Sequence, residues 1–227
     1  MTRLIQPEIE NIKSHIGEIG TLIEENLQRA VKALLTRDSD LAREVIRLDK
    51  EEIDRQEIEL EEACLRIMAR HQPVAGDLRF LVTVLKVNGD LERIGDLSAK
   101  IADKVLQIET LGPGSLESNG LMLPEMLQAM YNKTLKMLRQ TMAAFLNGDI
   151  DLAYKVCLTD DEVDTDKRAI REELEVIIAR NPAQHVYLAK LLGVARSLER
   201  IADHCTNICE DVIYMAQGEI VRHQPLH

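Results

Sequence analysis

Two copies of a short acidic motif carry the residues of this sequence that could do chemistry. The segment Leu91-Glu92-Arg93-Ile94-Gly95-Asp96 returns as Leu198-Glu199-Arg200-Ile201-Ala202-Asp203, with one change in six positions. A helix advances about 100° per residue, so residues four apart stack on one face. The Glu and Asp of each copy are therefore neighbouring carboxylates, which repel each other unless a cation lies between them.

A third carboxylate extends each pair. Asp103 and Glu210 both follow the Glu of their copy by eleven residues, which returns them to within about 20° of it. On the first copy the apolar positions point the opposite way, towards a predicted core. A charged helix face is usually just solvated, and that interpretation stays open. The repeated spacing favours a specific role, because solvation alone does not need fixed offsets.

The preceding helices carry a second acidic pair. Asp160 and Asp164 are four residues apart, whereas the corresponding Asp49 and Asp54 are five apart. Five residues of regular α-helix separate two side chains by about 140°. Either one of the two first-half aspartates is not a partner, or a single-turn π-bulge absorbs the extra residue.

Carboxylate oxygen is the ligand that Mg²⁺, Mn²⁺, Ca²⁺ and iron prefer, and pairs from two adjacent helices could converge on one site. The structural alternative is ion pairing of the acids with Arg93 and Arg200. Asn88 and Asn207 are expected to be surface residues or accessory oxygen ligands. The predicted metal ligands are eight carboxylates: Glu92, Asp96, Glu199, Asp203, Asp160, Asp164, Asp49 and Asp54.

Enzymatic interpretations find less support in the sequence. A ferritin-like di-iron site needs Glu-x-x-His, and neither Glu92 nor Glu199 has a His three residues on. His204 follows Asp203, the reverse of a His-Asp motif, and is expected to pack or hydrogen-bond rather than bind metal. No phosphate-cradling glycine loop or paired nucleophile stands out. The sequence predicts a protein that is not an enzyme.

Apolar residues at helical spacing predict the elements that must position these acids. We expect an all-α protein with six long antiparallel helices in two tandem three-helix bundles. The predicted helices cover about 8–35, 41–68 and 76–109, then 123–146, a helix ending near 179, and 184–217. Asp38 or Ser39 should cap the second helix. The first bundle is predicted at 8–109, a Gly/Ser-rich linker at 110–122 and the second bundle at 123–217.

Composition narrows the possible partners. A net charge of −11 and only 3% aromatic residues argue against nucleic acid and anionic membrane surfaces. There is no apolar run long enough for direct membrane insertion and no signal-peptide core, so a cytoplasmic location is expected. The four cysteines are then expected to be free thiols. The Cys205 and Cys209 pair could present two thiolates to a metal, but buried packing is the favoured interpretation.

The doubled Leu-Glu-Arg-Ile-(Gly/Ala)-Asp motif closely resembles the PhoU family, which serves the bacterial phosphate-specific transport system. The segments Ala63-Cys64-Leu65-Arg66-Ile67 and Gln72-Pro73-Val74-Ala75-Gly76-Asp77-Leu78-Arg79 add to the likeness, which covers nearly the whole chain. The resemblance implies tandem three-helix bundles and multinuclear metal sites at the acidic motifs, with iron, zinc, manganese or magnesium as the metal.

The resemblance also implies a function. A PhoU-like protein would be a homodimeric adaptor that couples the ATPase subunit of the phosphate ABC transporter to a membrane sensor histidine kinase. It would repress the phosphate-starvation response when phosphate is plentiful. Two alternatives stay open. One is a metal-dependent phosphoester or polyphosphate hydrolase that uses the same carboxylates, and the other is a structural bundle that binds nothing.

Overall fold

In the computed structural model, the described residues, 2–111, 125–180 and 182–218, form helices and short turns. The helices are α1 (Thr2–Thr36), α2 (Ser39–Leu48), α3 (Asp54–His71), α4 (Ala75–Glu109), α5 (Glu125–Asn147), α6 (Ile150–Arg180) and α7 (His185–Gln217). A π-helical turn, Asp49–Ile53, joins α2 to α3 without a break. Counting α2 and α3 as one interrupted helix gives the six long helices predicted, and the all-α class is confirmed. Most of the predicted linker, 112–122, lies outside the described residues.

Helix α1 begins earlier than its predicted start at residue 8. Ile5 and Ile9 are both buried, so the apolar stripe of the helix continues through Pro7 towards the N-terminus. Pro7 has no backbone N–H and costs the helix one hydrogen bond. Burial of the isoleucine side chains stabilises the helix by more than this loss, which explains the longer helix.

The same capping arrangement starts the second helix of each half. The Asp38 side chain accepts a hydrogen bond from the backbone N–H of Leu41 at 2.9 Å, which confirms the predicted cap. Asp149 accepts the equivalent bond from Leu152 at 2.9 Å. Such caps satisfy N–H groups that the first helical turn leaves without partners. The turn chemistry of the two halves is therefore duplicated along with the helices.

Helices α4 and α7 both bury many apolar side chains, and they pack against each other to join the two halves. The apolar face of α4 is buried, as predicted, at Ile94, Leu97, Ile101, Val105 and Ile108. The two helices run antiparallel, because positions later in α4 meet positions earlier in α7. Lys86 reaches Asp211 at 3.2 Å, and Asp90 meets His204 at 2.8 Å. Further along, the side chain of Lys104 lies over Gly193.

The cysteines Cys64, Cys157, Cys205 and Cys209 are free and buried, as the sequence predicts. The Sγ atom of Cys209 lies 3.5 Å from the Thr141 hydroxyl, inside the packed second half. None of the described helices is both long and apolar enough to cross a membrane.

Candidate metal centre

The π-helical turn resolves the irregular spacing of the first-half aspartates. It contains Asp49 and ends immediately before Asp54. Burial, followed by repulsion from Asp96, Asp54 and Glu92, raises the pKa of Asp49 from 3.8 to about 7. We call these four carboxylates the first acidic cluster, because the other three lie close enough to Asp49 to disfavour its ionisation. The π-bulge, one of the two explanations that the sequence left open, is present.

Asp49 lies deepest in this cluster, at 4% exposure. A Cβ atom placed on Gly95 would lie only 2.7 Å from Asp49 Oδ1, so the absence of a side chain at Gly95 lets the carboxylate pack against α4. Among the described residues, Asp49 Oδ1 has no hydrogen-bond partner. A buried carboxylate oxygen without a partner is costly, and a bound cation would supply the missing interaction.

The first acidic cluster opens onto a cleft of about 910 Å³ between the two halves. Helices α3 and α4 contribute one wall, and α7 contributes the other. Most of the polar lining is acidic, with the carboxylates of Asp54, Glu57, Asp90, Glu92, Asp96 and Glu210. Burial, followed by Glu61 and Glu92, raises the pKa of Glu57. The cleft therefore favours a positively charged ligand.

Two exposed cations lie at the edge of this cluster. Arg93 contacts Glu92 at 3.3 Å and Asp96 at 3.6 Å, and Lys100 contacts Asp96 at 3.5 Å. The predicted Arg93 ion pairs therefore exist. Both cationic side chains are more than half exposed, and ion pairs of that kind contribute little to stability. The pKa of Glu92 remains raised by burial, although Arg93 opposes the change.

The second acidic cluster comprises Asp160, Asp164, Glu199 and Asp203. Burial, followed by repulsion from Asp203, Asp164, Asp161 and Glu199, raises the pKa of Asp160 to about 6. Burial likewise raises the pKa of Asp203. This cluster contains a cation of its own, because Lys167 Nζ lies 3.0 Å from Asp164 Oδ1 and also hydrogen-bonds to Glu199.

The eight predicted ligands thus form two groups of four, but neither group has its side chains arranged around a common point. Within residues 2–111, 125–180 and 182–218, no three His, Cys, Asp or Glu side chains converge as a ready-made metal site. Like-charged carboxylates without a shared cation turn towards other partners, such as Arg93, Lys100 and Lys167. Asp49 lacks such a partner for Oδ1, and its donor chemistry fits a hard divalent cation.

Several residues at the site escaped sequence reasoning. Glu57, Asp90 and Lys167 gave no signal, because each lies outside the duplicated motif. Asn88 was expected to be a surface residue or an accessory oxygen ligand, and the surface expectation is wrong. It is 2% exposed, and its amide donates to the backbone carbonyl of Glu57 at 2.9 Å. Asn88 therefore links α4 to α3 just behind the first acidic cluster.

His204 and Glu210 of α7 line the cleft between the two halves. The His204 imidazole forms a hydrogen bond with the Asp90 carboxylate at 2.8 Å, which confirms the predicted bonding role. Glu210 belongs in sequence to the second acidic stripe but lines the cleft onto which the first acidic cluster opens. Repeat periodicity could not indicate this placement, because it depends on how α7 packs against α4.

Both halves of the chain are similar to known proteins of one family. The model of the PhoU domain family matches the chain twice, at 16–105 and 127–212, and the eight predicted ligands fall within the matches. The chain is 36% identical over 219 residues to the phosphate-specific transport system accessory protein PhoU homolog of Pseudomonas aeruginosa, covering 95% of this chain and 86% of that protein. The corresponding PhoU protein of Escherichia coli K12 is 34% identical over 216 residues, with 95% and 86% covered.

Solved structures share the fold. The crystal structure of PhoU from Pseudomonas aeruginosa superposes with a TM-score of 0.87 at 34% identity, covering 95% of this chain and 100% of that one. The phosphate transport system regulatory protein PhoU from Streptococcus pneumoniae gives a TM-score of 0.84 at 28% identity, covering 96% and 99%.

Proposed function

The chain belongs to the PhoU family, and we propose that it is a metal-binding regulatory adaptor of a phosphate transport system. In this role it couples the ATPase subunit of a phosphate ABC transporter to a membrane sensor histidine kinase, and it acts as a homodimer outside the membrane. When phosphate is plentiful, it represses the phosphate-starvation response. The observation that carries the proposal is the family match over both halves, which includes both acidic motifs.

The acidic clusters provide the metal-binding part of this role. Their carboxylates would hold a divalent cation, for which iron, zinc, manganese and magnesium are the candidates. When bound, the metal neutralises the mutual repulsion of the carboxylates. The chain's own part is to hold the acids in place through the π-helical turn and the space left by Gly95. Because the first acidic cluster joins α3 to α4, metal binding would stiffen the half of the molecule that borders the cleft.

A non-enzymatic role agrees with the charge of the cleft. Its six lining carboxylates are opposed by the cations Lys86 and Arg93, whereas a phosphoester or polyphosphate is an anion that needs cationic contacts. The family relatives are named as accessory and regulatory proteins. The alternative, a metal-dependent phosphoester or polyphosphate hydrolase, is tested by assaying purified protein with Mn²⁺ for phosphate release. Turnover that is lost in Asp49→Asn would favour the hydrolase.

The regulatory role is tested by deleting the gene and measuring a phosphate-starvation promoter in rich phosphate. We expect the promoter to stay active in the deletion strain and to be repressed again by the wild-type gene. The double variant Glu92→Ala with Asp96→Ala should not restore repression. The double variant Glu59→Ala with Glu62→Ala, which removes two exposed carboxylates from α3, should restore it. Normal repression in the deletion strain would contradict the proposal.

A further inference from the structure

The two acidic clusters differ at two equivalent positions. Glu57 stands three residues after Asp54, and Lys167 stands three residues after the equivalent Asp164. Gly95 of the first motif is replaced by Ala202 in the second. Each difference removes a feature that favours a bound cation. The second cluster gains an ammonium where the first has a carboxylate, and it lacks the space that Gly95 leaves.

Lys167 lies between α6 and α7. Its Nζ atom contacts Asp164 at 3.0 Å and hydrogen-bonds to Glu199, so one ammonium bridges carboxylates from both helices. The Lys167 side chain is 27% exposed and that of Glu199 is 19% exposed. Lys167 therefore places a positive charge between the same two acids that a bound cation would need as ligands.

Within the described residues, no cation of the first cluster bridges carboxylates from both of its helices. Its nearby cations, Arg93 and Lys100, contact Glu92 and Asp96 from the exposed edge, with side chains 61% and 55% exposed. Neither is among the hydrogen-bond partners of Asp49 Oδ1, which has none. The deepest oxygen of the first cluster therefore still needs a positive partner.

We propose that the two acidic clusters are not equivalent: the first binds a divalent cation, whereas Lys167 acts as a built-in counter-cation that keeps the second from binding one with comparable affinity. This inference rests on the metal-binding part of the proposed function. A tethered ammonium competes with metal for Asp164 and Glu199. A metal that displaces it must also leave two like charges close together in a partly buried site.

Mn²⁺ titration of chelator-treated protein tests the proposal, with free Mn²⁺ followed by its electron paramagnetic resonance signal. We expect one tight class of binding in the wild type. That class should be lost in Glu92→Ala with Asp96→Ala and retained in Glu199→Ala with Asp203→Ala. Lys167→Gln should add a second class whose affinity is at least about tenfold higher than that of the wild-type second cluster. Lys167→Glu, which introduces the residue type found at Glu57, should do the same.

The matched control is Lys155→Gln, which removes the same charge from an exposed position on α6 and should leave the Mn²⁺ isotherm unchanged. Far-UV circular dichroism checks that each variant keeps its helices. The proposal is overturned if the Lys167 variants bind Mn²⁺ like the wild type. It is also overturned if the second-cluster double variant loses tight Mn²⁺ binding, or if the wild type has none.

Failure of this inference can be told apart from failure of the regulatory role. Equal Mn²⁺ binding by the two clusters, with promoter repression intact, would contradict only the inequivalence of the clusters. Unequal binding as expected, with normal repression in the deletion strain, would contradict only the adaptor role.

Discussion

Asp49 should make the metal-free protein less stable as the pH rises. Its pKa in the folded protein is raised to about 7, whereas in the unfolded chain it titrates near the ordinary value of 3.8. Between these two values the folded protein holds a proton that the unfolded chain has released. The free energy of unfolding therefore falls with pH across this window, by about 1.4 kcal/mol per pH unit at most.

The size of the effect follows from the raised pKa. A difference of about 3 pKa units at about 1.4 kcal/mol each gives an upper value of about 4 kcal/mol. Local relaxation and water entry reduce it, so we expect Asp49 to lower the free energy of unfolding by about 2 to 4 kcal/mol between pH 4 and pH 7.5. Asp49→Asn has nearly the same shape and no charge. It should match the wild type at pH 4 and exceed its stability at pH 7.5.

Urea unfolding measured by circular dichroism, in the presence of chelator at several pH values, checks this expectation. Contributions from Asp160 and Asp203, whose pKa values are also raised, are common to both proteins and cancel in the comparison. Glu62→Gln on the exposed face of α3 is the control and should show no such pH-dependent difference. A constant stability difference between Asp49→Asn and wild type from pH 4 to pH 7.5 would refute the reasoning.

Three further predictions follow from local contacts. Gly95→Ala should keep the helix content, since Ala is the better helix former by about 1 kcal/mol. It should weaken Mn²⁺ binding at least about tenfold in titration, because the new Cβ would lie 2.7 Å from Asp49 Oδ1. Asp38→Ala and Asp149→Ala should each lower the free energy of unfolding in urea by about 1 kcal/mol through loss of a helix cap. The four cysteines are buried, so a thiol reagent such as DTNB should modify them only after unfolding; rapid modification of the native protein would contradict their burial.

The sequence best predicted those structural features that depend on residues close together in the chain. Periodicity predicted the helices, and the position of Asp38 and Ser39 ahead of the second helix predicted the cap that Asp38 provides. The five-residue spacing of Asp49 and Asp54 indicated a possible π-bulge, which the structure contains. These features follow from helix geometry and from hydrogen bonds between residues a few positions apart, and both can be worked out from spacing.

The spacing of residues along the sequence could not predict how deeply Asp49 is buried. Its burial depends on the close approach of α4, which Gly95 permits. The expected surface position of Asn88 was wrong for the same reason, because the α3 backbone that covers it comes from another element. Residue type and periodicity give the face on which a side chain lies, but they do not give the distance to the next helix.

The sequence by itself determined the duplication, the helix class and the acids that share a face in each half, because all of these follow from local periodicity. The tertiary structure alone decided that His204 meets Asp90, that Glu210 lines the cleft beside the first acidic cluster and that Lys167 bridges α6 and α7. These partners are 32 or more residues apart in the chain, so they meet only through helix packing. The packing of α4 against α7 is set by the summed burial of many apolar side chains, which no single motif encodes.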